Sequence, residues 1–286
     1  MIGVTGATGE VGGRVARRLA DRGIEQRLIV RDPSRAPDLP GRQVARATYD
    51  DAEAMREAFA DVDTLFLVSA SEHPERIAQH VRAVDAAAAS GVERIVYLSF
   101  LGAAANATFT LARHHFATEQ RVRSRGLPFT FLRSSIYLDL MPFFAGSESV
   151  IRGPAGEGRF APVARDDIAD VATAVLAEPA PHAGQTYDMT GPEAVTMREV
   201  AQHLSSAAGR EIRYVNESVE EAWASRSSFG APDWEVEGWI TSYTAIARGE
   251  MDVLSTAVAD VAGHPPISVP DWFRMHPEAF EHPHLS

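Results

Sequence analysis

Met1-Ile-Gly-Val-Thr-Gly6-Ala-Thr-Gly9-Glu-Val-Gly12 opens the chain and decides how the rest is read. A short apolar stretch, Ile2 to Thr5, runs straight into three glycines spaced three apart, and an apolar helical pattern from Val15 to Leu19 follows. Glycine is needed where backbone turns sharply and lets a phosphate approach, since a Cβ obstructs both. A helix that begins on such a loop aims its unpaired N–H groups and the positive end of its dipole at whatever the loop holds. Outside that context the triplet would be only a glycine-rich turn. Between strand and helix it predicts the first βα unit of a dinucleotide-binding fold.

Working outward, β-rich runs alternate with amphipathic helical runs. Strands are expected at Ile2–Thr5, Gln26–Val30, Gln43–Ala45, Thr64–Val68, Arg94–Ser99 and Phe129–Leu132, and helices at Gly12–Arg22, Asp51–Ala60, Arg76–Ser90 and Ala112–Ser124. Such alternation predicts an α/β fold, a Rossmann-type doubly wound parallel sheet with helices on both faces. Ser90-Gly91 and Arg125-Gly126 read as helix stops. Further on, Gly153 to Gly158 reads as a loop and Arg159–Val163 as a short strand. Arg165-Asp166-Asp167 starts a helix to Leu176, Gln185–Met189 is a strand, Thr196-Met-Arg-Glu199 is a capping box opening a helix to Ala208, and Glu211–Val215 returns as a strand. The expected division is a cofactor-binding part, 1–150 with the returning segment 159–190, and a smaller C-terminal α/β substrate lobe, 191–286, that carries all four tryptophans. The tail from His276 to His284 reads as a loosely held terminus.

Composition narrows the function. The chain has 286 residues, 45% of them hydrophobic, and a formal charge of −12 with no basic stripe, which argues against nucleic acid or an anionic membrane as partner. No apolar run approaches the length of a membrane span, and a fold that starts at residue 1 without a charged-then-apolar leader gives the expectation of a cytoplasmic protein. No metal site is expected. There is no cysteine, so disulfides and thiolate chemistry are excluded. There is also no lysine: all 27 basic residues are arginine, which excludes a Schiff base, a P-loop lysine and a Tyr–Lys catalytic pair.

After the second strand, the residue meeting the adenine ribose separates the two nicotinamide cofactors. An acidic residue there bonds the ribose hydroxyls and repels a 2′-phosphate, whereas this chain has Arg31 in Val30-Arg31-Asp32-Pro33-Ser34-Arg35. A guanidinium offers a planar fork suited to phosphate, and Arg35 can add a second contact, so NADP(H) is expected over NAD(H). Two readings compete with this: Arg31 as a surface residue of a turn, and Asp32 as its neutralising partner or as a ribose ligand.

These residues resemble the atypical short-chain dehydrogenase/reductase group called NmrA-like, and within it the bacterial NAD(P)H:quinone oxidoreductases and triphenylmethane-dye reductases. The likeness rests on Thr5 to Gly12, Val30-Arg31-Asp32-Pro33, Ser69-Ala-Ser-Glu72, Val96-Tyr-Leu-Ser99, His115-Phe-Ala-Thr-Glu119, Leu132-Arg133 through Tyr137, Ala155 to Gly158 and Arg165-Asp-Asp167. It runs in order over roughly residues 1–215, with looser similarity at Gly249 and Gly263-His-Pro265. The resemblance implies that Gly6, Thr8, Gly9, Glu10 and Val11 wrap the pyrophosphate and that Arg31 holds the 2′-phosphate. Ser69, Ala70 and Ser71 would line the ribose side, while Ser99, Phe100, Arg133 and Ser135, in the stretch reaching Tyr137, approach the nicotinamide. One departure concerns adenine: relatives often carry aspartate where this chain has Thr48, so Thr48, Asp50 or neither takes that role.

Ordinary members of the wider superfamily use Tyr-x-x-x-Lys on one helical face. Here His115 and Glu119 stand in those places, which disfavours alcohol dehydrogenation and sugar epimerisation. Hydride transfer to a quinone demands less, because the acceptor is electron-poor and the product anion is conjugated. His115 is a candidate donor to the acceptor oxygen or a filler of the helix face, Glu119 a candidate to orient it or to hold a ribose hydroxyl, and Tyr137 and Ser99 are rival donors. Phe143, Phe144, Tyr137 and the late tryptophans (Trp223, Trp234, Trp239, Trp272) are candidates to wall a flat aromatic substrate, the competing reading being core or subunit interface. The expected activity is NADPH-dependent reduction of a quinone or similar conjugated aromatic acceptor by a protein open to homodimer formation. The alternatives are a non-catalytic NADP(H)-binding redox sensor or a pathway-specific tailoring reductase.

Overall fold

The alternation of β-rich and helical runs folds, in a computed structural model that describes residues 1–146 and 148–280, into a seven-stranded parallel sheet. The first six strands are β1 (Ile2–Thr5), β2 (Gln26–Val30), β3 (Arg42–Arg46), β4 (Thr64–Leu67), β5 (Arg94–Phe100) and β6 (Phe129–Ser134). Two short strands, β7 (Val150–Gly153) and β8 (Arg159–Phe160), leave the sheet before β9 (Thr186–Met189) rejoins it. Then β10 (Val195–Thr196) pairs with β8, and β11 (Arg213–Asn216) pairs with β7. The strand order β3-β2-β1-β4-β5-β6-β9 reverses direction between β1 and β4, and ligands of open α/β sheets bind in the crevice at that reversal.

The helices are α1 (Glu10–Asp21), α2 (Ala52–Ala58), α3 (Arg76–Ala89), α4 (Thr110–Ser124), the one-turn α5 (Met141–Phe144), α6 (Arg165–Ala177), α7 (Met197–Ala208), α8 (Val219–Arg226), α9 (Asp233–Ala247), α10 (Ala257–Ala262) and α11 (Val269–Met275). The period of two along β5 sorts them into layers. Val96 and Leu98 face the core shared with α1 and α6, while Ile95 and Tyr97 face the core shared with α2, α3 and α4. A third core gathers Met141, Ile151, Phe160, Leu204, Ile246 and Trp272, so α5, β7 and β8 pack together with α7, α9 and α11.

The expected strands and helices of the first half are all present, with ends shifted by a residue or two. Helix α1 starts at Glu10, ahead of the expected Gly12, because Gly12 and Gly13 lie buried inside it. A Cβ on Gly12 would sit 2.3 Å from the Gly6 carbonyl oxygen, so glycine there is a packing requirement that its poor helix propensity conceals. Gly91 and Gly126 adopt the left-handed conformation after α3 and α4, as helix stops require. The capping box of α7 is formed, with Thr196 Oγ1 accepting from the Glu199 N–H and Glu199 accepting from the Thr196 N–H. The acidic start of α6 ties two layers together: Asp166 and Asp170 both pair with Arg18 of α1, and Asp167 accepts from the Ile267 N–H at 2.8 Å. The tail reading falls largely on residues 281–286, outside the described residues. His276, at its start, lies 4.5 Å from Trp272, centroid to centroid.

Between β5 and helices α3 and α4 lies a polar network that a core does not ordinarily hold. His80 and His115 are both buried, and Tyr97 Oη stands 2.8 Å from His115 Nδ1. Burial first, and the Arg76 charge second, hold both imidazoles well below their ordinary pKa, and His114 and His182 are lowered as well. Unfolding restores a value near ~6.5, so the unfolded chain takes up protons below that pH that the folded chain refuses. Each fully neutral histidine therefore loses about 1.4 kcal/mol of stability per pH unit below that point. Asp167, Glu72 and Asp188 oppose them: desolvation raises the Asp167 carboxyl to about 6 and the other two above their ordinary values, so their contributions are present at low pH and lost as pH rises through the raised values. Four lowered histidines, two of them deeply shifted, outweigh the three raised carboxyls. The expected outcome is a melting temperature that falls steadily from pH 7 to pH 5, with a shallower fall in the His80→Gln/His115→Gln double variant. A melting temperature flat or rising toward pH 5 in the wild type contradicts this account.

Candidate functional site

The crevice at the strand reversal is held open by its own rim. Thr5 Oγ1, at the end of β1, donates to the Phe66 carbonyl and accepts from the Val68 N–H, which fixes the ends of β1 and β4 side by side. Tyr49 adds a bond from its hydroxyl to the Val68 carbonyl at 2.6 Å. Gly6, with φ of +63°, then turns the chain toward α1, and the Gly9 N–H closes on the Gly6 carbonyl at 2.9 Å. Helix α1 has Gly9 as its cap and no side-chain cap bond. The N–H groups of Glu10, Val11 and Gly12 have no hydrogen-bond partner among the described residues, and all three residues line the cavity in front of them. A glycine-built concavity edged by free donors at a positive dipole end fits a pyrophosphate.

Two cavities meet at this rim. The first, about 420 Å³, is floored by Ile29, Ala47, Met55 and Phe59 and edged by Thr8, Arg31, Thr48 and Asp50. The second, about 580 Å³, is walled by Leu98, Phe100, Phe109, Leu111, Phe144 and Tyr243. Gly6, Gly9, Ser69, Ala70 and Ser71 line both. An elongated site with an apolar slot at each end and a glycine cradle in the middle has the form of a dinucleotide bed extended by further room.

At the first end, Arg31 is exposed and edges the cavity. Asp32, the potential neutraliser, is taken up locally: its carboxylate accepts from Ser34 N at 3.0 Å and Ser34 Oγ at 2.7 Å, and no ion pair joins it to Arg31 among the described residues. These two bonds, with Arg35 and Arg46 farther off, hold the Asp32 carboxyl below its ordinary value. Thr48 and Asp50 both line this cavity, but Asp50 already accepts from Arg82 at 2.7 Å and from Gln79 at 3.2 Å.

At the second end the expected residues divide. Phe100, His115, Ser135, Tyr137 and Phe144 line the cavity, whereas Ser99, Arg133 and Phe143 do not. Ser99 and Arg133 are register partners on β5 and β6, and both turn to Glu119 of α4, Ser99 Oγ donating at 2.6 Å and Arg133 through a two-pronged fork at 2.8 and 2.6 Å. Glu119 is buried behind the cavity and supports its wall, with Ser99 and Arg133, and not His115, as its side-chain partners among the described residues. Ser135 Oγ is buried with no partner among the described residues, a hydroxyl left for a bound molecule to satisfy. Burial raises the Tyr137 phenol above its ordinary value, and its ring stacks under the Arg165 guanidinium at 4.9 Å. None of the four tryptophans lines either cavity; Trp272 is core, and Trp223 and Trp234 are surface residues.

His115 sits in the wall with both ring nitrogens engaged. Arg76 Nη2 lies 3.0 Å from Nε2, and because a guanidinium only donates, Nε2 accepts and Nδ1 carries the proton toward Tyr97 Oη. Arg76 Nε in turn donates to the Ala70 carbonyl at 2.9 Å, while the Ala70 N–H donates to His80 Nε2 at 2.8 Å. The two polar backbone groups of Ala70, at the junction of the cavities, are thus gripped by two buried residues of α3. Sequence reasoning missed Arg76, His80 and Tyr97. The available signal was polar residues at i, i+3 and i+4 (Arg76, Gln79, His80) on the inward face of an alanine-rich helix.

The comparisons agree with this geometry. The sequence pattern of the NAD(P)H-binding family matches residues 6–179. Quinone oxidoreductase 2 of Escherichia coli is 34% identical over 273 residues, 93% of this chain and 94% of that protein. The NAD(P)H azoreductase of Xenophilus azovorans is 29% identical over 98% of this chain and 99% of its own. The crystal structure of the E. coli NADPH-dependent quinone oxidoreductase complexed with NADPH superimposes with a TM-score of 0.88 at 31% identity, covering 96% of this chain and 99% of that one. The Citrobacter sp. triphenylmethane reductase complexed with NADP(H) gives 0.85 at 30% identity, covering 96% and 99%. On fold, glycine cradle and full-length similarity together, the chain belongs to the NAD(P)H-binding family, within the NmrA-like group of atypical short-chain dehydrogenase/reductases.

Proposed function

We propose that the protein is an NADPH-dependent reductase that delivers hydride to a quinone or a similar small conjugated aromatic acceptor. The observation that carries the reading is the second cavity, an apolar slot opening directly from the glycine cradle, wide enough for a ring beside a nicotinamide and without a Tyr–Lys pair. The relatives named above as quinone oxidoreductase and azoreductase support the acceptor class. A bound reduced nicotinamide supplies the hydride; the remaining work is that of the side chains.

The cradle from Gly6 to Val11 is assigned the pyrophosphate, Arg31 the 2′-phosphate, and Ser69, Ala70 and Ser71 the ribose side. Phe100 and the unpartnered Ser135 hydroxyl are assigned the nicotinamide. Phe144 and Tyr137 flank the acceptor, the phenol remaining a neutral hydrogen-bond donor. Ser99, Arg133 and Glu119 stiffen the wall from behind. The parallel-sheet part is assigned the cofactor. The C-terminal lobe from 191, with α5, β7 and β8 packed into it, is assigned the acceptor side. Exclusion of water by the apolar walls and alignment of two flat rings supply the rate.

Purified protein mixed with NADPH and a naphthoquinone is expected to bleach the NADPH absorbance in proportion to enzyme. Uptake of NADPH without bleaching by any quinone tried would favour a redox sensor and remove the enzymatic reading. For the cofactor, Arg31→Glu is expected to raise the NADPH dissociation constant roughly tenfold to a hundredfold, the worth of a charge-assisted phosphate contact, and to leave NADH affinity unchanged. Equal wild-type affinities for NADPH and NADH, by calorimetry, would contradict the assignment of Arg31.

A further inference from the structure

We propose that Arg76 is the group that stabilises the negative charge arriving on the acceptor, and that it thereby selects neutral acceptors that become oxyanions over cationic ones. The proposal rests on the reductase reading and deepens it. Arg76 is 3% exposed and lines the second cavity. Its Nε and Nη2 are spent on Ala70 and His115, and its Nη1 is buried with no hydrogen-bond partner among the described residues. No carboxylate oxygen of a described residue lies within 4.0 Å of the guanidinium. The groups around it are His115, which is neutral, the phenols of Tyr49, Tyr97 and Tyr137, and the exposed Glu72 at the rim.

A guanidinium does not shed its proton under ordinary conditions, so this is a buried cation without a close counterion. Such a charge costs several kcal/mol unless something meets it. Leu98, Phe100, Phe109, Leu111 and Phe144 make much of the cavity wall apolar, so its field is screened less there than at an exposed surface. His115, by accepting from Nη2, fixes the plane of the guanidinium without neutralising it.

The chemistry of the acceptor supplies the missing charge. A neutral quinone takes up hydride, hydrogen with two electrons, as the C–H bond to the reduced nicotinamide breaks; the quinone is reduced to a hydroquinone monoanion, and a proton from solvent completes the hydroquinone. A fixed cation in the cavity wall favours that anion over the neutral starting ring, which is the condition for acceleration. A cationic dye behaves in the opposite way. It accepts hydride to become a neutral leuco compound, so no anion develops, and its own charge is repelled by Arg76 on entry.

The test uses wild type, Arg76→Gln and Arg76→Lys. The spectrum of 4-nitrophenol titrated with pH on the NADP⁺-loaded protein reports whether the cavity favours a phenolate. Turnover is followed with NADPH on a naphthoquinone and on the cationic triphenylmethane dye malachite green, and NADPH affinity is measured by calorimetry. Wild type is expected to ionise bound nitrophenol at lower pH than free nitrophenol. Arg76→Gln is expected to lose that shift and about a hundredfold in quinone turnover, as for loss of one oxyanion donor, while NADPH affinity and dye turnover, which share only its hold on Ala70, fall far less than the quinone rate. Arg76→Lys, which keeps the charge while giving up the fork, is expected to restore much of both. Retention of the nitrophenol shift and quinone rate in Arg76→Gln overturns the proposal, and so does a fall in NADPH affinity that matches the fall in rate. A wild type that reduces neither acceptor defeats the reductase reading instead, and the nitrophenol shift then still decides the role of Arg76.

Discussion

The contact between Gly12 and the Gly6 carbonyl sets the geometry on which the other features depend. Helix α1 can lie this close to the loop only because residue 12 has no side chain; an added Cβ would stand 2.3 Å from the oxygen. That closeness turns the first N–H groups of α1 toward the crevice instead of toward solvent. It also brings Arg18 within reach of Asp166 and Asp170, so the cradle and the returning helix α6 are clamped as one unit. The Thr5 hydroxyl, bridging the ends of β1 and β4, does the equivalent work on the opposite lip. Between these two restraints the backbone presents fixed dipoles to a ligand with no side chain having to reorganise, which is what makes preorganised sites effective.

The second organising feature is the closed polar circuit behind Ala70. It runs from the Ala70 carbonyl to Arg76, on to His115 and Tyr97, and past Thr118 to His80, which takes the Ala70 N–H. Each member's tautomer follows from its neighbours: Arg76 forces Nε2 of His115 to accept, and the Ala70 amide does the same to His80. Both rings must therefore stay neutral, and burial together with the Arg76 charge enforces it. A buried network of this kind rigidifies only if its members are satisfied. Tyr97 and the two histidines are; the Nη1 of Arg76 is not. The one donor left over belongs to the member that faces the cavity, which is why the circuit reads as a support for chemistry as well as for the loop.

The parts of the fold and of the candidate site that were legible in the sequence are those whose signal is local. The glycine spacing, the Thr196–Glu199 capping box and the Arg31-Asp32-Pro33-Ser34 turn each fit within a few residues, and each appears where its chemistry predicts. Strands β7 and β10 were not legible, because each is two to four residues long and pairs only with a segment far along the chain. Ser99 and Arg133 were expected beside the nicotinamide from the family resemblance. Their side chains turn instead to Glu119, whose buried carboxylate needs them, and a pairing between a helix and two strands leaves no local pattern in the sequence. Arg76 was hidden for a related reason: a sequence shows an arginine at a helix start as an ordinary solvated charge, and only the packing of α3 against β5 and α4 reveals it as buried.

The absence of lysine and the presence of Arg76 bear on one chemical question, how charge is managed at the acceptor. A Tyr–Lys pair works by handing a proton to a carbonyl oxygen that would otherwise carry an unstable alkoxide. Such a pair cannot exist in this chain, and His115, standing where the tyrosine would be, has its one proton turned to Tyr97 and its other ring nitrogen filled by Arg76. A conjugated acceptor removes the need, since its anion is delocalised and requires stabilisation more than immediate protonation. A fixed, always-charged guanidinium in an apolar wall is suited to that task and poorly suited to proton transfer. The side chains around the second cavity are therefore consistent with one class of reaction, in which charge is held first and neutralised afterwards.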